Sequence, residues 1–287
     1  MNFHFNEEEQ RILDVLHNFC KKEVAPIAAE IDENERFPEE TWHKLASMGM
    51  MGIPFPEQYG GAGCSYLTYI GACEELAKHC ATTSVMVSTH GSLCSWPINE
   101  FGTETQKQKY LPSLTSGEKL GAFGLTEPGA GTDYAMQKTT AEGRGDHWVL
   151  NGSKIFITNT GFASVFVIFA MTDKKMGNKG ISAFIVEKGF PGFMVGAHEK
   201  KMGIRGSSTC ELVFEDCVVP KENLLGEVNK GFKIAMMTLD GGRIGIGAQA
   251  LGIAQAAIDE CVKYTTHRIQ FGKRISQFQN TQFQLAD

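Results

Sequence analysis

The stretch Gly121-Ala-Phe-Gly-Leu-Thr-Glu-Pro-Gly-Ala-Gly-Thr-Asp133 is the most informative in the sequence, because it joins an extended run to a glycine-rich turn. Pro128 fixes its own φ angle and donates no backbone hydrogen bond, while Gly129 and Gly131 let the backbone approach a ligand closely. The amides and threonine hydroxyls beside them are hydrogen-bond donors. The stretch therefore predicts one wall of a site for a flat ligand with polar edges, although a lone Gly-x-Gly is more often an ordinary turn.

Two later segments favour the ligand site over the ordinary turn. Lys154-Ile-Phe-Ile-Thr-Asn159 and Arg268-Ile-Gln-Phe-Gly272 follow the first stretch in the order of the three flavin elements of the acyl-CoA dehydrogenases. The chain resembles this family from Phe5 to Asp287. It is most similar to the short-chain, butyryl-CoA-type members, through the segments 232–240 and 242–255.

The periodicity of the sequence and the resemblance agree on an α+β fold. Apolar residues recur at helical spacing over 1–119, which predicts an N-terminal all-α domain with Asn6 and Thr103 as helix caps. Alternation of period two over 120–229 predicts a middle antiparallel β-barrel-like domain. Within it, Asn151-Gly152 predicts a hairpin turn between two strands.

Helical periodicity returns over 230–287, which resembles the start of a C-terminal four-helix-bundle domain. The segment 276–287 opens like an amphipathic helix and ends without a helix stop signal, so we expect this domain to be truncated and incomplete. Five glycines crowd into its first helix, and they indicate either close packing between helices or a ligand surface. They are Gly241, Gly242, Gly245, Gly247 and Gly252.

The bulk composition excludes several classes of protein. The 287 residues are 42% hydrophobic and 21% charged, unlike a disordered or collagen-like chain. A net charge of −6, with no basic run longer than two residues, argues against nucleic acid as a partner. No stretch reaches the roughly 18 apolar residues of a membrane span, and the acidic start Met1–Glu9 is unlike a signal peptide. We expect a cytoplasmic protein that does not bind membranes.

The cysteines do not predict a disulfide framework or a metal site. Eight of them lie at positions 20, 64, 73, 80, 94, 210, 217 and 261, without a Cys-x-x-Cys pair, so we expect reduced and buried thiols. His79-Cys80 would be a nucleophile with its base only if both side chains faced one point. Adjacent helical residues point about 100° apart, so packing is the favoured interpretation.

The resemblance implies FAD as the cofactor and assigns residues to both of its sides. Phe123, Leu125, Thr126, Gly131 and Thr132 form one side, and Phe156, Ile157 and Thr158 form the other. Thr126 and Thr158 suit this role because negative charge grows at flavin N5 and the adjacent carbonyl during reduction, and hydrogen-bond donors stabilise it. Phe156 stands where many relatives have tryptophan, and an aromatic ring there would shield the flavin.

The third flavin element implies an oligomer. Arg268, Phe271 and Gln279 resemble the residues that reach the FAD of a neighbouring subunit, and a guanidinium matches the geometry of phosphate oxygens. Read alone, Arg268 is a solvated charge at a helix end. The resemblance favours the ligand interpretation and implies a homotetramer built as a dimer of dimers.

The resemblance also implies a short-chain acyl-CoA as substrate and an electron-transfer flavoprotein as electron acceptor. The reaction takes a proton from the carbon α to the thioester carbonyl and a hydride from the β carbon, so a carboxylate base must face the flavin across the substrate. The implied substrate-side residues are Thr132, Asp240, Gly241, Gly242 and Arg243.

No carboxylate stands at either position where the family carries its base. Most relatives have a glutamate in helices beyond this sequence, and a minority have it at the position of Gly242. Glu127 is expected to cap backbone amides, and Asp240 belongs to the CoA-side set. The sequence therefore predicts no catalytic base within the 287 residues.

Two other functions stay open. The chain could be a non-catalytic flavin or acyl-CoA-binding module, or one piece of a split enzyme, or it could be a flavoprotein oxidase or monooxygenase, which hydrogen peroxide production would reveal. Six residues of one helical region are candidates for the wall of an acyl pocket, although core packing is the safer interpretation for each. They are Met86, Val87, Thr89, Leu93, Cys94 and Trp96.

Overall fold

The computed structural model describes residues 4–287, so the first three residues of the acidic start Met1–Glu9 lie outside it. A helical region comes first, a β-sheet follows from Leu120, and a long helix begins at Gly231. Across residues 4–287 no helix is both long and apolar enough to cross a bilayer. The arrangement agrees with the α+β fold expected from the sequence.

Seven α-helices form the first region, and two of them begin at the expected caps. The Asn6 side chain accepts from the Glu9 amide and the Glu9 side chain accepts from the Asn6 amide, and Thr103 and Gln106 form the same reciprocal capping box. The helices are α1 Glu7–Phe19, α2 Ala28–Glu33, α3 Glu39–Ser47, α4 Tyr66–His79, α5 Ala81–Thr89, α6 Trp96–Phe101 and α7 Glu104–Thr115.

Two π-helical segments interrupt the regular helices, at Cys20–Val24 and His90–Ser95. Such segments are rare and frequently occur at functional sites. The second one packs its buried Cys94 against strand β1 so closely that a Cβ on Gly121 would lie 2.5 Å from the Cys94 side chain. Gly121, the first residue of the glycine-rich stretch, therefore serves packing.

Eight strands form one sheet with the order β6-β7-β3-β2-β4-β5-β8, and β1 pairs with β4. Most neighbours are antiparallel, as expected, but β1 runs parallel to β4, and β2 meets β4 in a parallel bridge. The strands are β1 Leu120–Gly124, β2 Thr140–Arg144, β3 His147–Ile157, β4 Ala163–Met171, β5 Ile181–Glu187, β6 Phe193–His198, β7 Cys210–Pro220 and β8 Leu224–Leu225.

The hairpin predicted at Asn151-Gly152 is wrong. Strand β3 continues through both residues, and its pairing with β7 shifts register there, because β7 carries one extra residue opposite Asn151 and forms a bulge at Glu215-Asp216. The Asn151 side chain stabilises it by donating to the Asp216 carboxylate at 3.1 Å and accepting from the Asp216 amide at 2.8 Å. The turn lies instead at Gly145, whose φ is 68°. Cross-strand pairing on both sides of β3 overrides the local turn signal.

The long helix α8 Gly231–His267 carries the glycine cluster, and packing explains most of it. A Cβ on Gly252 would lie 2.3 Å from the Glu74 carbonyl oxygen of α4, and one on Gly245 would lie 2.6 Å from Ser88 Oγ. After α8 come β9 Ile269–Gln270, β10 Lys273–Arg274 and α9 Gln279–Ala286. The chain thus has a second helical region after the sheet, as the sequence predicts.

The cysteines depart in part from expectation. All eight are free, as predicted, but Cys64 is half-buried and Cys261 is exposed, so only six are buried. Cys261 lies on α8 in a part of the helix that faces solvent. Helical periodicity alone did not identify this face because α8 is apolar around much of its circumference.

Because His90 is buried, we expect the free energy of unfolding to depend on pH. Its Nε2 donates to the Leu114 carbonyl and its Nδ1 accepts from the Gly121 amide, and burial lowers its pKa to about 4. Because the unfolded chain binds a proton near pH 6.5 and the folded chain does not, stability is full above pH 6.5 and falls between 6.5 and 4. Between pH 7 and 5, wild type should lose about 2 kcal/mol more than His90→Gln, measured by urea unfolding. Equal pH slopes in the two proteins would contradict this.

Candidate functional site

A cavity of about 430 Å³ lies where the sheet meets α5, the second π-helical segment and α8. It unites all eight residues of the two predicted cofactor walls with the substrate-side Arg243. The lining residues are Thr89, Leu93, Phe123, Leu125, Thr126, Gly131, Thr132, Tyr134, Phe156, Ile157, Thr158, Leu239 and Arg243. Two sequence segments about thirty residues apart therefore face one space.

The first wall is the glycine-rich turn. Glu127 and Ala130 exchange backbone hydrogen bonds at 3.0 and 3.1 Å, which close the turn around Pro128 and Gly129. A Cβ on Gly131 would meet no heavy atom within 4 Å, and Gly131 lines the cavity. The turn thus leaves open the space that the sequence assigned to a ligand.

A buried ion pair joins the two walls. Lys154 Nζ is 2.8 Å from Glu127 Oε1 and also donates to the Gln137 side chain and the Leu125 carbonyl. Both charged side chains are buried, and the amides of Lys138 and Thr139 donate to the Glu127 carboxylate. Glu127 therefore caps amides, as the sequence predicts, and it also fixes β3 to the turn through Lys154.

Burial governs the ionisation of this pair. Burial lowers the pKa of Lys154 to about 8, against the pull of the Glu127 charge, so most of the lysine stays protonated at neutral pH. Burial opposes ionisation of Glu127 as well, but the Lys154 charge and the amide hydrogen bonds outweigh it and lower the pKa of that carboxyl. Both groups are charged, and neither is free for acid–base chemistry.

The second wall is the end of β3. Phe156 has a φ of 59° and a side chain that is 59% exposed, so its ring lies at the mouth of the cavity. Asn159, also at positive φ, anchors the wall by donating to the Met86 carbonyl at 3.1 Å and to Thr89 Oγ1 at 3.0 Å. These contacts tie the strand end to α5.

Helix α8 supplies the charged residues at one end of the cavity. Arg243 forms an ion pair with Asp240 at 2.6 Å, and both side chains are exposed. The Gly241 carbonyl accepts from the Tyr66 hydroxyl at 3.1 Å. Gly242 lines an adjoining cavity of about 270 Å³ and lies against Leu93, so a side chain there would fill part of that cavity. Of the substrate-side residues, Asp240 and Arg243 thus form a charged pair that faces solvent, whereas Gly242 lines an apolar cavity.

Three predicted cofactor residues lie away from this cavity. Arg268, Phe271 and Gln279 are exposed on the segment after α8, and Phe271 is 93% exposed. Within one chain the structure does not bring them to the other eight.

The candidates for the acyl-pocket wall divide in a similar way. Thr89 and Leu93 line both cavities, whereas Met86, Val87 and Cys94 are buried in the core. Trp96 packs edge-on against Phe101 instead. Core packing is therefore the correct interpretation for four of the six residues.

Sequence reasoning missed Tyr134 and Leu239 as cavity residues. Tyr134 stacks on Phe232 with ring centroids 5.1 Å apart, and its buried hydroxyl has no hydrogen-bond partner among the described residues. A buried polar atom without a partner indicates a ligand or water at that point. The only sequence signal was the closeness of Tyr134 to the glycine-rich turn.

The polar groups of the cavity fit a flavin. The hydroxyls of Thr126, Thr132 and Thr158 make no side-chain hydrogen bond within residues 4–287, so they are available to a ligand. Together with the Tyr134 hydroxyl they line a space that also carries the rings of Phe123 and Phe156. A flat ring with polar edges needs such a combination of donors and aromatic surface. No aspartate or glutamate is among the residues that line this cavity.

Family models match this chain in three consecutive parts. They are the N-terminal domain of acyl-CoA dehydrogenase at residues 6–118, the middle domain at 122–217 and the C-terminal domain at 229–287. The chain belongs to the acyl-CoA dehydrogenase family. The resemblance inferred from the three flavin elements is thereby confirmed, and with it the classification as a flavin-dependent oxidoreductase.

Several acyl-CoA dehydrogenases are similar over the whole chain. A short-chain-specific acyl-CoA dehydrogenase of Clostridium acetobutylicum is 59% identical over 287 residues, which are all of this chain and 76% of that protein. The structure of butyryl-CoA dehydrogenase from Megasphaera elsdenii has a TM-score of 0.97 at 53% identity, with 100% of this chain and 76% of that chain covered. These similarities confirm the fold expected from the sequence.

Two further solved structures bear on the ligands. A chain from a structure described as the electron transferring flavoprotein of Acidaminococcus fermentans has a TM-score of 0.98 at 54% identity, covering 100% of this chain and 75% of that one. An acyl-CoA dehydrogenase from Bacillus anthracis complexed with FAD has a TM-score of 0.92 at 39% identity, with 98% and 48% covered.

Proposed function

We propose that this acyl-CoA dehydrogenase uses FAD to convert a short-chain acyl-CoA of the butyryl-CoA type into the trans-2-enoyl-CoA. The observation that carries the proposal is the single cavity that unites both flavin segments with Arg243 of α8. The short-chain specificity of the Clostridium relative and the butyryl-CoA dehydrogenase structure support the choice of substrate.

The chain's own residues hold and orient the cofactor. FAD, when bound, supplies the acceptor for the hydride that leaves the β carbon. Thr126 and Thr158 would donate hydrogen bonds to the bound cofactor and stabilise the negative charge that grows on it, and Phe123 and Phe156 would supply aromatic contacts. The Lys154–Glu127 ion pair keeps the two walls at a fixed separation, so the donors are positioned before the reaction begins.

The α8 side receives the thioester. Leu93, Leu239, Gly242 and Ile246 line the adjoining cavity of about 270 Å³, and this space suits a short acyl chain. Asp240 and Arg243 hydrogen-bond the CoA portion at the exposed end, with Thr132 and Gly241 beside them. Because Gly242 has no side chain, nothing at this position fills the cavity that receives the acyl chain.

Proton abstraction needs a base that this cavity does not contain. Glu127 is committed to Lys154 and two backbone amides, and Asp240 is paired with Arg243 in solvent. No residue that lines the cavity carries a carboxylate. In the described part of the chain this cavity therefore binds cofactor and substrate, and the α proton leaves to a carboxylate that is not among its lining residues.

The assembly and the electron acceptor complete the proposal. Arg268, Phe271 and Gln279 contact the FAD of a second copy, which explains their exposure in one chain, and the active form is a dimer of dimers. Electrons pass to an electron-transfer flavoprotein, as the Acidaminococcus structure suggests.

The proposal also covers the domains and the compartment. The chain divides into domains at 1–119, 120–229 and 230–287. The eight cysteines are free, which favours a location in the cytoplasm.

Anaerobic titration of the FAD-loaded protein with butyryl-CoA tests this function. In a protein of these 287 residues, binding should shift the visible flavin spectrum without bleaching it, because substrate reaches a cavity whose lining residues carry no carboxylate. Bleaching would overturn the absence of a base in these 287 residues. An unchanged spectrum would overturn the acyl-CoA site, and peroxide formation in air after reduction would favour the oxidase alternative.

Two glycines of the turn provide a matched pair of variants for FAD binding. A Cβ meets nothing within 4 Å at either Gly129 or Gly131, but only Gly131 lines the cavity. Gly131→Ala should weaken FAD binding by roughly tenfold because the methyl group enters the space of the ligand, and Gly129→Ala should not. Equal affinities, measured by fluorescence quenching of FAD, would place the cofactor elsewhere.

A further inference from the structure

Three potential metal ligands meet between α1 and α4, outside the cofactor cavity. His17 Nδ1 lies 2.6 Å and His79 Nε2 lies 3.3 Å from the same oxygen, Glu75 Oε1. One ligand atom from each side chain lies within 4.8 Å of the other two. The cluster joins the last turn of α1 to the last turn of α4.

The cluster is charged and partly shielded from water. Glu75 and His79 side chains are 12% and 17% exposed, while His17 is 43% exposed. Burial opposes ionisation of Glu75, but hydrogen bonds from His17 and Lys78 outweigh it and lower the pKa of that carboxyl. The Glu75 side chain thus already faces one cation, Lys78, and two imidazoles.

The distances from Glu75 to the two histidines are close to those of a tetrahedral site. Zinc bonds of about 2.0–2.2 Å to nitrogen and oxygen place neighbouring ligand atoms roughly 3.4 Å apart. His79 and Glu75 already have that separation, and His17 needs to retreat from Glu75 by less than an ångström. The His17 Nδ1 and His79 Nε2 atoms face the same oxygen, Glu75 Oε1. A metal ion can therefore lie between these three atoms, in place of the hydrogens of the two N–H groups.

We propose that His17, Glu75 and His79 form a binding site for a divalent cation of the zinc type that clips α1 to α4. Two imidazoles and one carboxylate are a ligand set that Zn²⁺ uses in proteins, with water in the fourth position. A cavity of about 330 Å³, lined in part by His17 and Glu75, leaves room for that water. Asp14 and Glu74 line the same cavity and add negative charge that attracts the ion.

Lys78 competes with the ion. Its Nζ lies 3.2 Å from Glu75 Oε2 and 3.4 Å from Glu74 Oε1. The ammonium can stay on Glu74 when a cation takes Glu75, so the site does not leave Lys78 unpaired. Because the lysine charge repels the cation, its removal should strengthen metal binding.

Calorimetric titration of the FAD-loaded protein with ZnCl₂ tests the site, in a Cys64→Ser, Cys261→Ser background that removes the two thiols that are not buried. One ion per chain should bind, and His17→Asn or His79→Asn should weaken binding by about tenfold or more. His147→Asn is the matched control, since His147, at the start of β3, also contacts a carboxylate, Asp146 at 2.8 Å, but belongs to no group of three potential metal ligands among the described residues.

Two further results distinguish a metal site from a cluster of side chains that is held together only by hydrogen bonds. Lys78→Met should tighten zinc binding by about threefold, a direction that a purely structural cluster does not give. Zinc should also raise the thermal midpoint of the parent and of His147→Asn but not that of His17→Asn. Unchanged affinity in both histidine variants, or weaker binding in Lys78→Met, would overturn the proposal. Thermal unfolding in EDTA checks that every variant folds.

Discussion

Replacing Lys154 with methionine should lower the free energy of unfolding by about 3–5 kcal/mol. The substitution keeps the side-chain volume but leaves the Glu127 carboxylate, 5% exposed, without its cation. Removing one partner of a buried pair is costly because the other charge stays desolvated. Urea unfolding at pH 7 measures the change. FAD affinity should fall as well, because Lys154 holds the two cavity walls together.

Lys263→Met is the matched control for this prediction. Lys263 also pairs with a glutamate, Glu260 at 3.4 Å, but both side chains are more than 70% exposed. An exposed pair of this kind contributes at most about 1 kcal/mol, so this variant should unfold almost like wild type. If Lys154→Met cost no more than Lys263→Met, the buried pair would have no structural role.

Gly252→Ala should destabilise the chain by about 3 kcal/mol, the second large effect. The added Cβ would lie 2.3 Å from the Glu74 carbonyl oxygen and 2.8 Å from Ala77 Cβ, so α8 must move away from α4. A backbone oxygen cannot rotate aside as a flexible side chain can. Thermal and urea unfolding should both show the loss.

Gly247→Ala, on the same helix, should have the opposite effect. Gly247 is exposed, and a Cβ there meets nothing within 4 Å, so alanine should stabilise the helix by about 0.5–1 kcal/mol. The two variants differ only in what surrounds the new methyl group. A loss in both would indicate that helix flexibility, and not the contact with α4, requires these glycines.

The sequence predicted both cofactor walls because each wall is a short continuous segment. Gly121–Asp133 and Lys154–Asn159 carry their own turn chemistry, so the resemblance could place Thr126, Gly131 and Thr158 without knowledge of the fold. Helix caps at Asn6 and Thr103 were predictable for the same reason, since a cap acts within four residues. The third flavin element stays a prediction, because its residues lie away from the cavity of their own chain.

Contacts between distant segments could not be read from local patterns. Asn151-Gly152 carries a strong hairpin signal, yet β3 pairs with both β2 and β7 and stays extended there, and the irregularity is a bulge in β7 opposite Asn151. Tyr134 gave no signal, because its place in the cavity depends on its stacking with Phe232 nearly a hundred residues later. Propensity acts over a few residues, whereas these outcomes depend on which strands and helices meet.

The sequence by itself determined the family, the α+β class and the two segments that line the cavity, because turn chemistry and periodicity act between near neighbours. Only the tertiary structure decided that Lys154 pairs with Glu127, that Gly252 must accommodate α4, and that His17 meets Glu75 and His79. Each of these results from long-range packing, in which burial changes the energy of a charge or a contact. Such energies exist only once the chain has folded.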